Sequence, residues 1–440
     1  MTYDKAIKHG RVFVDGHFIH TNVYIKQGKI KTLSTKDCDA HETCDAQGMD
    51  VLPGLIDPHV HFELDLGFIQ SVDDFYHGSV AGAYGGITSF IDFLDPVDTN
   101  EGLIEAFNRR KKRAENSLLD YTFHATFKNP KDDLETMVKT MLSLGIKTLK
   151  VFTTYSDSDR RTYDEDIIQL LTLSAKYHFV LLVHVENDDL ITLDDAFKVK
   201  DLPISRPTES ETNEALKLAG YVNQFGGSLY MVHTSSGNTL EALKKRYSNI
   251  LNKNFFIESC PQYFTFNRDK LTQDDGYLYT FAPPLRDEEE RRKLFQYEHM
   301  IDTFGTDHCA FMRQDKKHDL LRAIPLGIGG IEHSFSVMRH HLGDSVIPRM
   351  SERVAEIHQL AYKGRIQENY DADLAVFKPR KNHVITENHA RSDYSVYTNC
   401  LSAGEVMHTM VRGEWVLKDR QIYHRQGQWI ERRQTHESLD

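Results

Sequence analysis

The sequence predicts an α/β protein: a (β/α)8 TIM barrel carrying a small β-sandwich domain built from both chain termini. Three observations point there. Apolar runs with strand character recur at 51–57, 87–93, 120–126, 147–153, 179–184, 228–233, 255–259 and 301–306, separated by helical patterns such as 101–116, 132–144, 164–177, 209–224 and 238–247. Alternation of this kind suits a closed parallel sheet, because parallel neighbours need a helical crossover between them. No glycine-rich dinucleotide fingerprint follows an early strand, which argues against an open doubly wound sheet. Finally, both ends of the chain have a different texture, with short alternating strands and turn glycines.

In chain order, 6–14, 23–25 and 30–33 read as strands joined by turns at Gly16 and Gly28, and the texture returns at 373–377, 406–412 and 414–417. The expected division is therefore 1–50 for the N-terminal part of the sandwich, 51–362 for the barrel, and 363–440 for the C-terminal part of the sandwich and a tail. The basic run at 109–113 reads as the solvated face of a helix. With 440 residues, 40% of them hydrophobic and 27% charged, the chain is ample to bury a core. Its net charge of −12, from 53 Lys and Arg against 65 Asp and Glu, gives no reason to expect a nucleic acid or an anionic membrane as partner. The five cysteines are scattered with no C-x-x-C pair, so neither a disulfide framework nor a cysteine zinc site is expected, and a reducing cytoplasm suits them. No leader pattern and no apolar run of about 18 residues is present, so no signal peptide or membrane span is expected.

The stretch 51–63, VLPGLIDPHVHFE, places two histidines two residues apart at the end of an apolar run. In a strand, residues i and i+2 face the same side, so His59 and His61 converge on one point. Paired imidazoles suit a divalent transition metal such as zinc. In a parallel barrel, sites form at the C-terminal ends of strands, and further candidates stand there. Lys150 lies in the fourth expected strand, His184 ends the fifth, His233 ends the sixth and Asp307 follows the eighth. Taken singly, each histidine has a plain reading as a core or rim residue, and Asp307 as a helix cap. Their joint placement is hard to obtain by accident. Lys150 says most, because an ammonium flanked by Leu149, Val151 and Phe152 is costly to bury without a partner. Burial also favours the neutral amine, which is a nucleophile.

The 51–63 stretch resembles the opening signature of the amidohydrolase superfamily. His61-Phe62-Glu63-Leu64, Ser71-Val72-Asp73-Asp74-Phe75-Tyr76, Gly85-Gly86-Ile87-Thr88 and Ile91-Asp92-Phe93 resemble its dihydropyrimidinase and hydantoinase branch. Glu258-Ser259-Cys260-Pro261-Gln262-Tyr263, Thr306-Asp307-His308-Cys309 and Ile324-Pro325 extend the likeness over most of the chain. The resemblance implies a metal-dependent hydrolase barrel that opens the cyclic amide bond of a dihydropyrimidine, hydantoin or related ureide to an N-carbamoyl product. It further implies two divalent metal ions per chain, zinc or else manganese or cobalt, bridged by carboxylated Lys150. His59, His61 and Asp307 would hold one ion, and His184 and His233 the other. Their shared hydroxide would be the nucleophile, with Asp307 as the proton carrier. Tyr155, five residues after Lys150, would bind the substrate carbonyl oxygen, and the backbone at Ser259 and Leu326 would contact the ring. Cys260 and Cys309 read as structural. Relatives of this kind assemble as dimers or tetramers, so a homo-oligomer is expected.

Two departures bear on the substrate. Leu326-Gly327 stands where the family usually has Asn-Gly, and Asp65, Leu66, Gly67 and Phe68 replace a largely apolar loop. Dihydroorotases usually carry an arginine where Glu63 stands here, and an acidic side chain would repel that substrate's carboxylate. Allantoin remains an alternative ring. A non-catalytic scaffold relative is the alternative from another class, and such members typically lose metal ligands, whereas all six positions are present here.

Overall fold

The structure, a computed structural model, describes residues 2–432; Met1 and 433–440, which the expected terminal ranges include, lie outside the described residues. The centre is an eight-stranded parallel sheet of β1 (Leu55–Val60), β2 (Ile87–Phe93), β3 (Asp120–Thr126), β4 (Thr148–Phe152), β5 (Val180–His184), β6 (Ser228–Met231), β7 (Phe255–Ser259) and β8 (Thr303–Phe304), hydrogen-bonded in sequence order. Every residue of β1, β2 and β3 is buried. That explains their unbroken apolar runs, since helices cover the sheet outside and side chains fill it inside. Closure of β8 onto β1 rests on a parallel bridge between Val60 and His308 and on the buried Asp57 carboxylate. This carboxylate accepts from the Thr306 amide at 3.2 Å and the Thr306 hydroxyl at 2.6 Å.

The terminal segments form two sheets. Lys29–Ser34, Asn22–Lys26, Tyr3–Lys8 and Ala40–Asp45 make a four-stranded one. The seven-stranded one mixes both ends of the chain: Leu374–Val384 pairs antiparallel with Asp50–Pro53, which pairs in turn with Arg11–Val14. Ile7, Val23, Ile25, Val51, Leu374 and Val376 pack between the sheets as a core separate from that of the barrel.

Two expectations need correction. The first expected strand, 51–57, spans a break: Asp50–Pro53 belongs to the sandwich and Leu55–Val60 to the barrel. Both halves are fully buried, so the apolar run hides the join. Gly54 makes the transition at close quarters, where a Cβ would lie 2.3 Å from Thr88 Oγ1. The basic run 109–113 is not wholly solvated either. In the helix Asn100–Ala114 the inward face is Leu103, Ala106, Phe107, Arg110 and Ala114, at helical spacing. Arg110 is buried, pairs with Asp92 at 2.8 Å, and donates to the Phe62 carbonyl, pinning the end of β1 to β2. Among the described residues, no helix is long and apolar enough to cross a membrane.

Candidate metal centre

His59 is the penultimate residue of β1 and His61 follows that strand, with their Nε2 atoms 3.2 Å apart. From the β8 end, Asp307 Oδ1 comes within 3.2 Å of His59 Nε2 and 3.1 Å of His61 Nε2. Donor atoms of these three residues all lie within 4.8 Å of one another, close enough to share one cation. The second group adjoins it: the rings of His184, ending β5, and His233, just past β6, have centroids 4.5 Å apart, and His233 lies 5.5 Å from His59. Lys150, on β4, reaches the same space with Nζ 5.4 Å from the ring centroids of Phe93 and Phe152. Burial brings its pKa down to about 8, against the pull of Asp307 and Glu258. Among the described residues, no hydrogen bond or ion pair to its ammonium exists.

Backbone strain gathers here. Tyr155, His233 and Asp307 all adopt left-handed backbone with φ of 69°, 41° and 52°. Each such non-glycine residue costs roughly 1–2 kcal/mol. The surrounding strands hold them there, and all three side chains consequently face one cavity of about 370 Å³.

Carboxylates behind the cluster fix its rings. Glu258, on β7, accepts from His59 Nδ1 at 2.8 Å, from the His233 amide at 2.9 Å and from the Tyr230 hydroxyl at 2.9 Å. The His59 contact turns its Nε2 toward Asp307 and His61, and such outer partners orient metal-binding imidazoles. Glu186 takes His184 Nε2 at 2.6 Å, which leaves Nδ1 as the nitrogen His184 could offer a metal, and also pairs with Arg206. Burial pushes the Glu186 carboxyl up, but Arg206 and His184 outweigh it and hold it at about 2. In the sequence, Glu258 stands out only as part of a motif, and Glu186 and Arg206 do not stand out at all. A signal existed: Glu258 interrupts an apolar strand, as Lys150 does, and Glu186 sits two residues from His184.

The donor set fits divalent metal ions. Besides the converging Nε2 atoms, His61 Nδ1 and His233 Nδ1 are buried and lack protein partners, and Asp307 is held ionised, well below the usual carboxylate range, because His59 and His61 outweigh the cost of burial. Tyr155 and Leu326 line the cavity beside these groups. Ser259 does not: it ends β7 beneath the cavity, and its hydroxyl is committed to the Thr234 carbonyl at 2.7 Å. Burial raises the thiols of Cys260 and Cys309, so neither is poised as a nucleophile.

A parallel barrel whose strand ends bring four imidazoles, a carboxylate and a buried lysine into one cavity defines a class, the metal-dependent enzymes built on this fold. Comparison with known proteins narrows it: the model of the amidohydrolase family matches residues 51–416, and the chain belongs to that family. It is similar to the D-hydantoinase of Geobacillus stearothermophilus, with 30% identity over 97% of this chain and 96% of that protein. It also resembles the D-phenylhydantoinase of Escherichia coli O81 (strain ED1a), with 28% identity over 94% of both. Among solved structures, dihydropyrimidinase from Brevibacillus agri NCHU1002 superimposes with a TM-score of 0.90 at 25% identity, covering 99% of this chain and 100% of that one.

Proposed function

We propose that this chain is a metal-dependent cyclic amidohydrolase, which opens the ring amide of a hydantoin, dihydropyrimidine or related ureide to give an N-carbamoyl product. The observation that carries this reading is the convergence of His59, His61, Lys150, His184, His233 and Asp307 on one cavity at the barrel's strand ends. The same convergence disfavours a scaffold that has lost its metal site. His59, His61 and Asp307 would hold one divalent ion and His184 and His233 a second, with carboxylated Lys150 shared between them; zinc is the first choice, manganese or cobalt the alternatives. A Lys150 pKa of about 8 supports the carbamate, since it leaves an appreciable neutral amine fraction near neutrality. That nitrogen forms a bond to the carbon of CO₂ and releases one proton.

Such ions, when bound, polarise a carbonyl and acidify water. The protein supplies the rest. Asp307 accepts the proton as water adds to the ring carbonyl carbon, then returns it to the ring nitrogen as the C–N bond breaks. The Tyr155 hydroxyl, kept protonated by burial, donates to the carbonyl oxygen as negative charge develops. Backbone at Leu326 borders the ring, which its place on the cavity wall supports. A backbone contact from Ser259 completes the reading, with support from the family pattern alone. We place the enzyme in the cytoplasm as a homo-oligomer, dimer or tetramer; five cysteines without a disulfide suit a reducing compartment.

The test is the ring-opening rate on dihydrouracil, hydantoin, allantoin and dihydroorotate, using protein supplied with metal and bicarbonate. Hydantoin or dihydrouracil should be opened, and Asp307→Ala should lower the rate by several orders of magnitude. Turnover that survives in Asp307→Ala would contradict the assignment.

A further inference from the structure

Above the metal cluster the cavity wall is apolar, with Leu66, Phe68, Leu193 and Leu326 on it, and Phe68 and Leu193 are 69% and 66% exposed at the mouth. Three arginines interrupt that wall. Arg206 is committed to Glu186 and Arg322 to Asp195, the latter at 2.6 Å. Arg160 differs: among the described residues, no carboxylate or carbonyl takes its guanidinium. Its backbone is nevertheless set, because the Arg160 amide donates to the Tyr155 carbonyl at 3.1 Å. The preceding Asp159 is turned left-handed, φ 55°, and tied to Asn129 at 2.7 Å. The turn thus presents an unneutralised cation on the same wall as Tyr155. Of the carboxylates lining the cavity, Asp307 belongs to the metal cluster and Asp65 accepts from the Gly67 amide at 2.7 Å.

From this geometry we infer that the substrate ring carries an extended substituent ending in an anion, which Arg160 binds while the apolar wall packs against the substituent's methylenes. The inference rests on the ring-opening reading and names its substrate class. A free guanidinium beside apolar surface recognises an oxyanion such as a carboxylate through paired N–H donors. The chain's net charge of −12 makes a local cation at the mouth the more telling, because it opposes the surrounding field. For a five-membered diamide bearing a carboxyethyl arm, water adds across the amide C–N bond. The carbonyl carbon becomes a carboxylate and the freed nitrogen the NH₂ of a carbamoyl group. The product is an N-carbamoyl amino acid with an acidic side chain.

The experiment compares kcat/KM for 5-(2-carboxyethyl)hydantoin, its 5-(2-carbamoylethyl) isostere and unsubstituted hydantoin, on metal-loaded wild type, Arg160→Gln and Arg160→Lys. Wild type should favour the carboxylate over the amide by about tenfold to a hundredfold, the range for a hydrogen bond to a charged group. The difference should appear mainly in KM and shrink at high salt. Arg160→Gln should bring the ratio to about one, and Arg160→Lys should keep part of it. A wild-type ratio near one, or a preference that survives in Arg160→Gln, overturns the inference while leaving the ring-opening reading intact. Silence on every ring overturns that reading, and this inference with it.

Discussion

Glu258 performs no step of the reaction, yet His59, the His233 amide and Tyr230 all depend on it. Glu258→Gln keeps the shape but weakens the hold on His59, so metal affinity should fall roughly 10- to 100-fold, the usual effect of losing an outer partner. Competition with a chromophoric chelator reads this directly. Gly305 guards the same contact: a Cβ there would sit 2.7 Å from Glu258 Oε2 and 2.9 Å from His59 Cβ. Gly305→Ala should therefore cost about 1–3 kcal/mol in urea unfolding, with weaker metal binding alongside. The candidate ligands were legible in the sequence, because each polar group ends or interrupts an apolar strand. Glu258 and Glu186 do so too. What sequence could not show is that their partners, from His59 to Arg206, come to them from distant stretches of chain.

At the scale of elements, the weakest seam is where β8, only two residues long, meets β1. Asp57 spans it through both Thr306 donors. Asp57→Ala would take the acceptor from the buried Thr306 and His59 amides and leave the Thr306 hydroxyl only the His59 carbonyl at 3.3 Å, so the urea midpoint should drop by the equivalent of about 1–3 kcal/mol. All eight strands were visible as apolar runs, and the helices as periodic stretches between them. The break at Gly54 was not, since Val51 and Leu52 on the sandwich strand are as buried as Leu55 and Ile56 on the barrel strand. Arg110 was misread for the opposite reason: a buried cation inside a basic run looks like its solvated neighbours until Asp92 is seen opposite it.

The whole molecule is joined at the start of β3. Asp120 there is buried and binds Lys363 at 2.7 Å, Arg412 at 2.6 Å and Arg425 at 3.2 Å, drawn from the segment entering the C-terminal sandwich, one of its turns and the tail. Burial pushes the Asp120 carboxyl up, but these cations outweigh it and bring it down to about 2 from the ordinary 3.8. A carboxyl whose folded pKa is depressed stabilises the fold above its unfolded pKa. That stability should be present at neutral pH and drain away as pH falls from about 3.8 through about 2. Asp120→Asn should cost about 3–5 kcal/mol at pH 7, as for other broken buried pairs, and progressively less in acid, by denaturant titration at each pH. The two-domain plan was legible because strands at both ends of the chain share one texture. This joint was not, because its members lie 243 to 305 positions from Asp120 in sequence. In the proposed function, carboxylated Lys150 holds two metal ions together with four histidines and Asp307. Metal content per chain in wild type and Lys150→Ala, with carbon-13 NMR after labelled bicarbonate, tests it most directly. Wild type should hold two ions and show a carbamate signal, and the variant should lose the signal and tightly bound metal; two ions retained by Lys150→Ala would contradict this.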